Sequence, residues 1–366
     1  MWKIIRPDIK SIWDNDEVKS VLGKYREIIN KNRLAKYLIF KKIPISIDII
    51  NSPNELLEKT HERLNKNIIN DAFLKEFKDS NDVSSKESSY LDLKIEMLRR
   101  IMSNCHLCER NCKINRLKGE KGYCKIGKFG RVSSVHLHFG EEAPLVPSGT
   151  IFFTGCTFSC VFCQNSDIST KPQEGSLINP KRLAAYANSM ARDENARNIN
   201  YVSPVAHTFA IIHSMKYQNV NVAQLWNSNH YCSLDTMKII TDLFDIWLPD
   251  FKYGNDKCAL KLSNAPNYWN IITRNHKMIY DANGEIIIRH LIMPNHIECC
   301  SKPILKWIAE NTPNVLVNLM GQYHPAHQIL QFKEKYKRIN RRPSKDEIRI
   351  VQDFADNLGL YWKAIS

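Results

Sequence analysis

The sequence predicts an α/β protein built on a partial (β/α)6 barrel of the TIM type, and three observations carry that prediction. Strand-like and helix-like stretches alternate from position 151 onward, the pattern of parallel strands joined by crossover helices. Six strand candidates fall in that stretch. Polar residues stand where those strands end, and in a parallel barrel such ends converge on one mouth.

Residues 1–104 form the first segment, an N-terminal helical region rich in Lys, Asn, Ile and Leu and free of cysteine. Helical spacing shows in Val18, Leu22, Tyr25 and Ile29, and again in Leu91, Leu93, Ile95, Leu98 and Ile101. The polar run from Asp79 to Ser89 reads as a linker or exposed loop, and the whole region as a platform over one face of the main domain. Residues 105–130 make a small four-cysteine metal-binding segment, and residues 131–366 the partial barrel with a C-terminal helix. The barrel strands are read at Thr150 to Gly155, Asn198 to Val202, Val220 to Trp226, Asp245 to Leu248, Ile286 to Met293, and Val315 to Met320. Between them, Pro180 to Met190 makes a helix with Asn179 as cap and Pro180 in the first position. His207 to Tyr217 and Leu234 to Phe244 supply two more.

Composition sets limits. A chain of 366 residues with 43% hydrophobic content supports one barrel-sized core plus additions. It contains no apolar run of the about 18 residues a membrane span requires, and its first residues lack the apolar block of a signal peptide. The expectation is a cytoplasmic protein with no membrane partner, whose 11 cysteines act as ligands and free thiols rather than as disulfides. The formal charge of +14 favours anionic partners without specificity and does not by itself argue for nucleic acid.

The richest motif is GCTFSCVFCQN, which sets Cys156, Cys160 and Cys163 at C-x3-C-x2-C spacing behind a buried strand. A structural zinc site normally closes with four ligands, whereas three thiolates on a 4Fe–4S cluster leave one iron open to a small molecule. A second constellation, Cys105, Cys108, Cys112 and Cys124, places four thiolates in 20 residues among basic side chains such as Arg110, Lys113, Arg116 and Lys121. Either a zinc ion or an auxiliary, fully ligated Fe–S cluster fits it, and His106 within it is a bystander. Cys232 and Cys258 stand isolated, and adjacent Cys299 and Cys300 are poor candidates for holding one ion together. His136 and His138 alternate on a strand, in structural roles. His290 and His324 are second-tier site candidates, behind the strand-end group Ser203, Asn227, Asp250, Lys252, Arg289 and Gln322.

These motifs resemble the radical S-adenosylmethionine (SAM) superfamily. Within it the chain is similar to an archaeal and bacterial family predicted to be like pyruvate formate-lyase activating enzyme. The resemblance runs from about Leu91 onward through CHLCERNC, GYC, HFGEE, GTIFFTGC, CVFCQN, NINYV, LPDFKY, IIRHLIMP, the Gln322-Tyr323-His324-Pro325 run and INRRP. It implies a radical SAM barrel in which Cys156, Cys160 and Cys163 are the catalytic cluster ligands, with SAM on the open iron. It places Phe162 near the adenine, Asp250 and Lys252 towards SAM, and Ser203, Asn227 and Arg289 among the cofactor contacts. The implied chemistry is reductive cleavage of SAM to a 5′-deoxyadenosyl radical that abstracts hydrogen from a protein or peptide. The electron donor would be of the ferredoxin or flavodoxin kind. One departure stands out: superfamily members carry a glycine-rich turn after the second strand, and here the stretch from Val202 to His207 has no glycine. The contact to the SAM amino group is then altered, supplied by Ser203, or lost. Two alternatives remain: an RNA-modifying radical SAM enzyme, prompted by net charge and the basic run from Lys333 to Arg349, and a non-catalytic Fe–S or zinc-binding protein.

Overall fold

The structure, a computed structural model, describes residues 6–68 and 88–366. Its centre is an eight-stranded sheet of β1 (Gly130–His138), β2 (Ser148–Phe153), β3 (Ser176–Ile178), β4 (Asn198–Val202), β5 (Ala223–Ser228), β6 (Ile246–Pro249), β7 (Glu285–Leu291) and β8 (Leu316–Met320). The spatial order is β8-β7-β6-β5-β4-β2-β1-β3. Strands β2, β4, β5, β6, β7 and β8 run parallel, so the six-stranded partial barrel expected from the sequence is present. Two antiparallel strands, β1 and β3, extend it beyond β2. Only the alternation of His136 and His138 pointed to one of them. The barrel stays open, and Tyr361 bridges to Leu316 on the free side of β8.

The parallel strands are buried because both faces are covered, and polar residues within them such as Asn198, Asn200 and Gln224 are buried with hydrogen-bond partners. All residues of β5 and β6 are buried, and Trp226, Phe244 and Trp247 pack ring against ring at centroid distances of 4.7–6.4 Å. The helix Pro180–Arg192 starts as expected, with the Asn179 side chain accepting from the Arg182 N–H at 2.9 Å. The next two helices are shorter than read, Thr208–Met215 and Leu234–Ile240. The fifth strand begins at Ala223 rather than Val220 and runs on to Ser228.

Short helices from the N-terminal region close the amino ends of the strands. At the start of the helix Gly23–Ile29, the backbone N–H groups of Lys24 and Tyr25 donate to the Glu285 carboxylate at 2.6 and 2.8 Å, and Glu285 opens β7. Asn198, the first residue of β4, donates to the Tyr25 hydroxyl at 2.9 Å. The longer helix Tyr90–Ser103 begins with a capping box of Ser89 and Asp92 and buries Leu91, Leu93, Leu98 and Ile101. Of the stretch read as a linker, residues 79–87 lie outside the described residues, while Ser88–Ser89 pair antiparallel with Pro44–Ile45. Among the described residues, no helix is long and apolar enough to cross a membrane.

Candidate active site

The carboxyl ends of the parallel strands open onto one cavity of about 860 Å³. Gly155 turns the chain out of β2 in the left-handed region, and a Cβ there would lie 2.8 Å from the Cys124 carbonyl oxygen. Glycine is needed for both reasons. The loop that follows brings Cys156, Cys160 and Cys163 to the cavity wall. Each sulfur has a polar neighbour. The Phe158 N–H and the Asn229 amide donate to Cys156 Sγ at 3.4 and 3.5 Å. The Ser263 hydroxyl donates to Cys160 Sγ at 2.9 Å, and Ser169 Oγ lies 3.3 Å from Cys163 Sγ. Burial pushes the Cys156 thiol up to about 11 and Cys160 to about 12. Without a cation these thiols stay protonated; a bound metal centre reverses that preference. A soft thiolate set with hydrogen-bond donors aimed at sulfur fits an iron–sulfur cluster.

All six strand-end residues picked from the sequence line this cavity: Ser203, Asn227, Asp250, Lys252, Arg289 and Gln322. Phe162 does too, buried with its ring edge-on to Tyr323 at 5.6 Å. Lys252 Nζ pairs with Asp250 at 2.6 Å. Ser203 sits in the left-handed region at φ 58°, and its N–H donates to the Asn227 carbonyl at 3.1 Å. The turn therefore holds, on a serine, the backbone angle that glycine would take most easily. Of the second-tier histidines, His290 points elsewhere: its nitrogens meet the Phe251 carbonyl and the Ser301 hydroxyl, both at 2.8 Å. His324 contacts Gln164, a cavity residue, at 3.1 Å. His136 stacks on Phe152 at 5.4 Å.

Two functional residues lacked a role in the sequence reading. Glu141 and Glu142, from the HFGEE motif, are buried and line the cavity beside Arg289. The Arg289 guanidinium grips Glu142 through two bonds, at 2.8 and 2.7 Å, and also donates to Glu141. Asn318 donates to Glu142 at 2.7 Å, Asn200 to Glu141 at 2.9 Å, and His138 pairs with Glu141 at 3.2 Å. Burial alone would raise the Glu141 carboxyl, but Arg289 and His138 outweigh it and hold it at about 2. Arg289 thus reaches the mouth already committed to two carboxylates. The visible signal was an acidic pair, Glu141-Glu142, directly ahead of an apolar strand.

The four-cysteine segment wraps the back of the same loop. Cys105, Cys108, Cys112 and Cys124 line a small enclosed cavity of about 10 Å³. The Tyr123 N–H donates to Cys112 Sγ at 3.4 Å, and a Cβ on Gly122 would fall 2.6 Å from that sulfur. Arg110 stacks on Tyr123 at 3.8 Å and donates to the Thr157 carbonyl at 2.9 Å, while the Tyr123 hydroxyl meets Ser159 at 2.6 Å. Both contacts reach into the loop that carries Cys156 and Cys160. Arg116 is buried and binds the carbonyls of Gly127 and Ala206. His106 faces Asp235 at 3.3 Å.

No family model matches the chain. The uncharacterized protein MJ0674 of Methanocaldococcus jannaschii is 39% identical over 347 residues, covering 93% of this chain and 98% of that one. The chain belongs to the MJ0674 family. Solved structures overlap it in part. A domain of pyruvate-formate lyase-activating enzyme from Bacteroides vulgatus is 16% identical at a TM-score of 0.31, over 39% of this chain and 80% of that one. SuiB of Streptococcus suis, bound to S-adenosylmethionine, is 10% identical at 0.41, over 57% and 48%. A radical SAM methyltransferase from Sphaerobacter thermophilus is 13% identical at 0.41, over 58% and 65%.

In this member of the MJ0674 family a third group of thiols assembles that the sequence reading had dismissed. Cys258 is not isolated: its sulfur lies 3.9 Å from that of Cys299, which lies 3.9 Å from that of Cys300. Cys232, by contrast, is buried and bridges its backbone to Cys108.

Proposed function

We propose that this chain is a radical SAM enzyme acting on a protein or peptide. The observation that carries the reading is that three thiols on one loop face an open cavity whose wall also holds Ser203, Asn227, Asp250, Lys252, Arg289 and Gln322 from the strand ends. Cys156, Cys160 and Cys163 are the residues that would hold a 4Fe–4S cluster. When bound, that cluster and SAM supply one-electron cleavage of the sulfur–C5′ bond to give a 5′-deoxyadenosyl radical.

The protein's own part is to bind, orient and shield. Ser263 donates to Cys160 Sγ and Asn229 to Cys156 Sγ, and such bonds would favour the reduced, more negative state of a cluster held there. Phe162 gives an apolar wall for an adenine ring. Ser203 and Asn227 offer backbone and side-chain polar groups to the methionyl amine and carboxylate, and the Asp250–Lys252 pair offers one charge of each sign. The Arg289–Glu141–Glu142 network holds the shape of the far wall. The cavity volume, about 860 Å³, sits high in the about 300–1,000 Å³ range of small-molecule sites, leaving room for a substrate group beside SAM.

Cys105, Cys108, Cys112 and Cys124 would carry a second, closed metal centre, zinc or an auxiliary cluster, that braces the loop. Electrons would come from a ferredoxin- or flavodoxin-type donor in the cytoplasm. The test is the EPR spectrum of the reduced, reconstituted protein with and without SAM. A SAM-dependent change in the signal, lost in Cys163→Ala, is the expected result. A spectrum indifferent to saturating SAM, from protein with a full iron complement, would overturn the reading.

A further inference from the structure

Away from the cavity wall, two loops at the same end of the barrel press together. One follows β6 and enters the helix Asp256–Ser263; the other follows β7 and forms a π-helical turn, Ile297–Ser301. Their approach is close enough to require Gly254, where a Cβ would lie 2.7 Å from the Cys299 carbonyl oxygen and 2.8 Å from Cys300 Cα. Asn255 stitches them. Its side chain donates to the Cys299 carbonyl at 2.7 Å and accepts from the Cys258 N–H at 2.8 Å.

The result is a built cluster of three sulfurs, those of Cys258, Cys299 and Cys300, all within 4.8 Å of one another. Two of the three pairs, Cys258–Cys299 and Cys299–Cys300, stand at 3.9 Å. An ion bonded to three thiolates at about 2.3 Å holds them about 3.8 to 4.0 Å apart, for tetrahedral and planar arrangements respectively. The three thiols thus already stand near the separation one ion requires. Adjacent Cys299 and Cys300 both lie in the π-helical turn, with their sulfurs 3.9 Å apart.

We propose that Cys258, Cys299 and Cys300 form a site for a single thiophilic cation of the Zn²⁺ or Cu⁺ class. A set made only of sulfur selects soft or borderline ions and disfavours Mg²⁺ and Ca²⁺. Cys300 is buried, Cys258 half-buried and Cys299 exposed, so the ion has an entry path and keeps one side open. The site also touches the catalytic region through the helix Asp256–Ser263. Cys258 lies near its start, and Ser263, at its end, donates to Cys160 Sγ at 2.9 Å. A bound ion would fix that helix against the π-helical turn and so hold the Ser263 donor in place.

The test uses full-length protein with its iron–sulfur content already assembled, and uptake is read as native minus variant, which cancels any ion taken by Cys105, Cys108, Cys112 and Cys124. Zn²⁺, and in a parallel anaerobic arm Cu⁺, is titrated against a chromophoric chelator, while iron and sulfide are counted before and after. The expected result is one equivalent of tightly held ion in the native protein. Cys299→Ser, which changes an exposed position, should bind at least about tenfold more weakly, and Cys258→Ser should do the same, with iron unchanged in both. Equal uptake by native protein and both variants would overturn the proposal. So would a thiol-reduced native protein that takes up no ion, or whose cysteines 258 and 299 reoxidise to a disulfide in the presence of excess Zn²⁺.

Discussion

The mouth of the barrel and the helical layer at its base and side both bury polar groups, but they answer them differently. At the layer the buried charges Lys94 and Glu285 meet fixed partners. Lys94, fully buried, bonds Asp242 at 2.6 Å, the Ile239 carbonyl at 2.7 Å and His61 at 2.7 Å. Glu285 meets two backbone N–H groups. At the mouth, the thiols of Cys156, Cys160 and Cys163 and the side chains of Asn227, Asp250 and Lys252 border open space. A polar group buried against a partner specifies and stabilises a fold. The same group left facing a cavity is arranged for something that binds there. The difference separates residues whose loss should cost activity from those whose loss should cost stability.

Cys160→Ala should break the comparison most visibly on the mouth side. It is expected to remove about four iron atoms per chain and all SAM cleavage, with the circular dichroism spectrum unchanged. On the layer side, Lys94→Ala strands Asp242 in the interior and should cost roughly 3–5 kcal/mol in chemical denaturation, while folded protein retains its SAM-dependent EPR change. A loss of the EPR response without loss of stability would mean that the layer is not merely structural.

Glu285 gives the layer a pH signature. Burial pushes its carboxyl up to about 7, against the pull of the Lys24 and Tyr25 N–H groups. A folded value above the unfolded one means the native state holds the proton more tightly. The stabilisation is full below about pH 4 and is lost as pH rises towards 7. The denaturation midpoint should therefore fall as pH rises from about 4.5 to about 7, and Glu285→Gln should flatten that slope. The smallest effect belongs to Ser203. Ser203→Val places a β-branched residue in the left-handed region and should cost about 1–3 kcal/mol, whereas Ser203→Gly should stay within about 1 kcal/mol of native. SAM affinity that follows the same order would tie the turn's backbone angle to binding.

Much of the mouth was legible because it is written locally. Each parallel strand is a short, largely buried run with a polar residue at or just past its carboxyl end, so Ser203, Asn227, Asp250 and Lys252 could be chosen one strand at a time. What escaped depends on distant pairing. Arg289 is separated from Glu142 by 147 positions, and nothing near either residue announces the partner. Cys258 stands 41 positions from Cys299, and vicinal cysteines look divergent until the π-helical turn is seen. Strand β3, at the sheet's edge, and its neighbour β1 escaped as sheet members because exposed and half-exposed side chains blur their alternation. The glycine-free turn left three outcomes open, and a serine occupies the left-handed angle there, which residue identity alone does not disclose. The basic run from Lys333 to Arg349, which prompted the RNA alternative, is diluted by its acidic pair as its sequence suggests: Arg341 pairs with Glu347 and Arg349 with Asp346.

The central claim, that the three-cysteine loop serves SAM cleavage, is tested most directly by measuring 5′-deoxyadenosine. The anaerobically reconstituted, dithionite-reduced protein is incubated with SAM, beside a Cys156→Ala/Cys160→Ala/Cys163→Ala control that keeps the four-cysteine segment intact. The account predicts 5′-deoxyadenosine and methionine from the native protein and none from the control. Equal yields from the two proteins, or no product from native protein that carries a complete cluster and shows bound SAM, would contradict it.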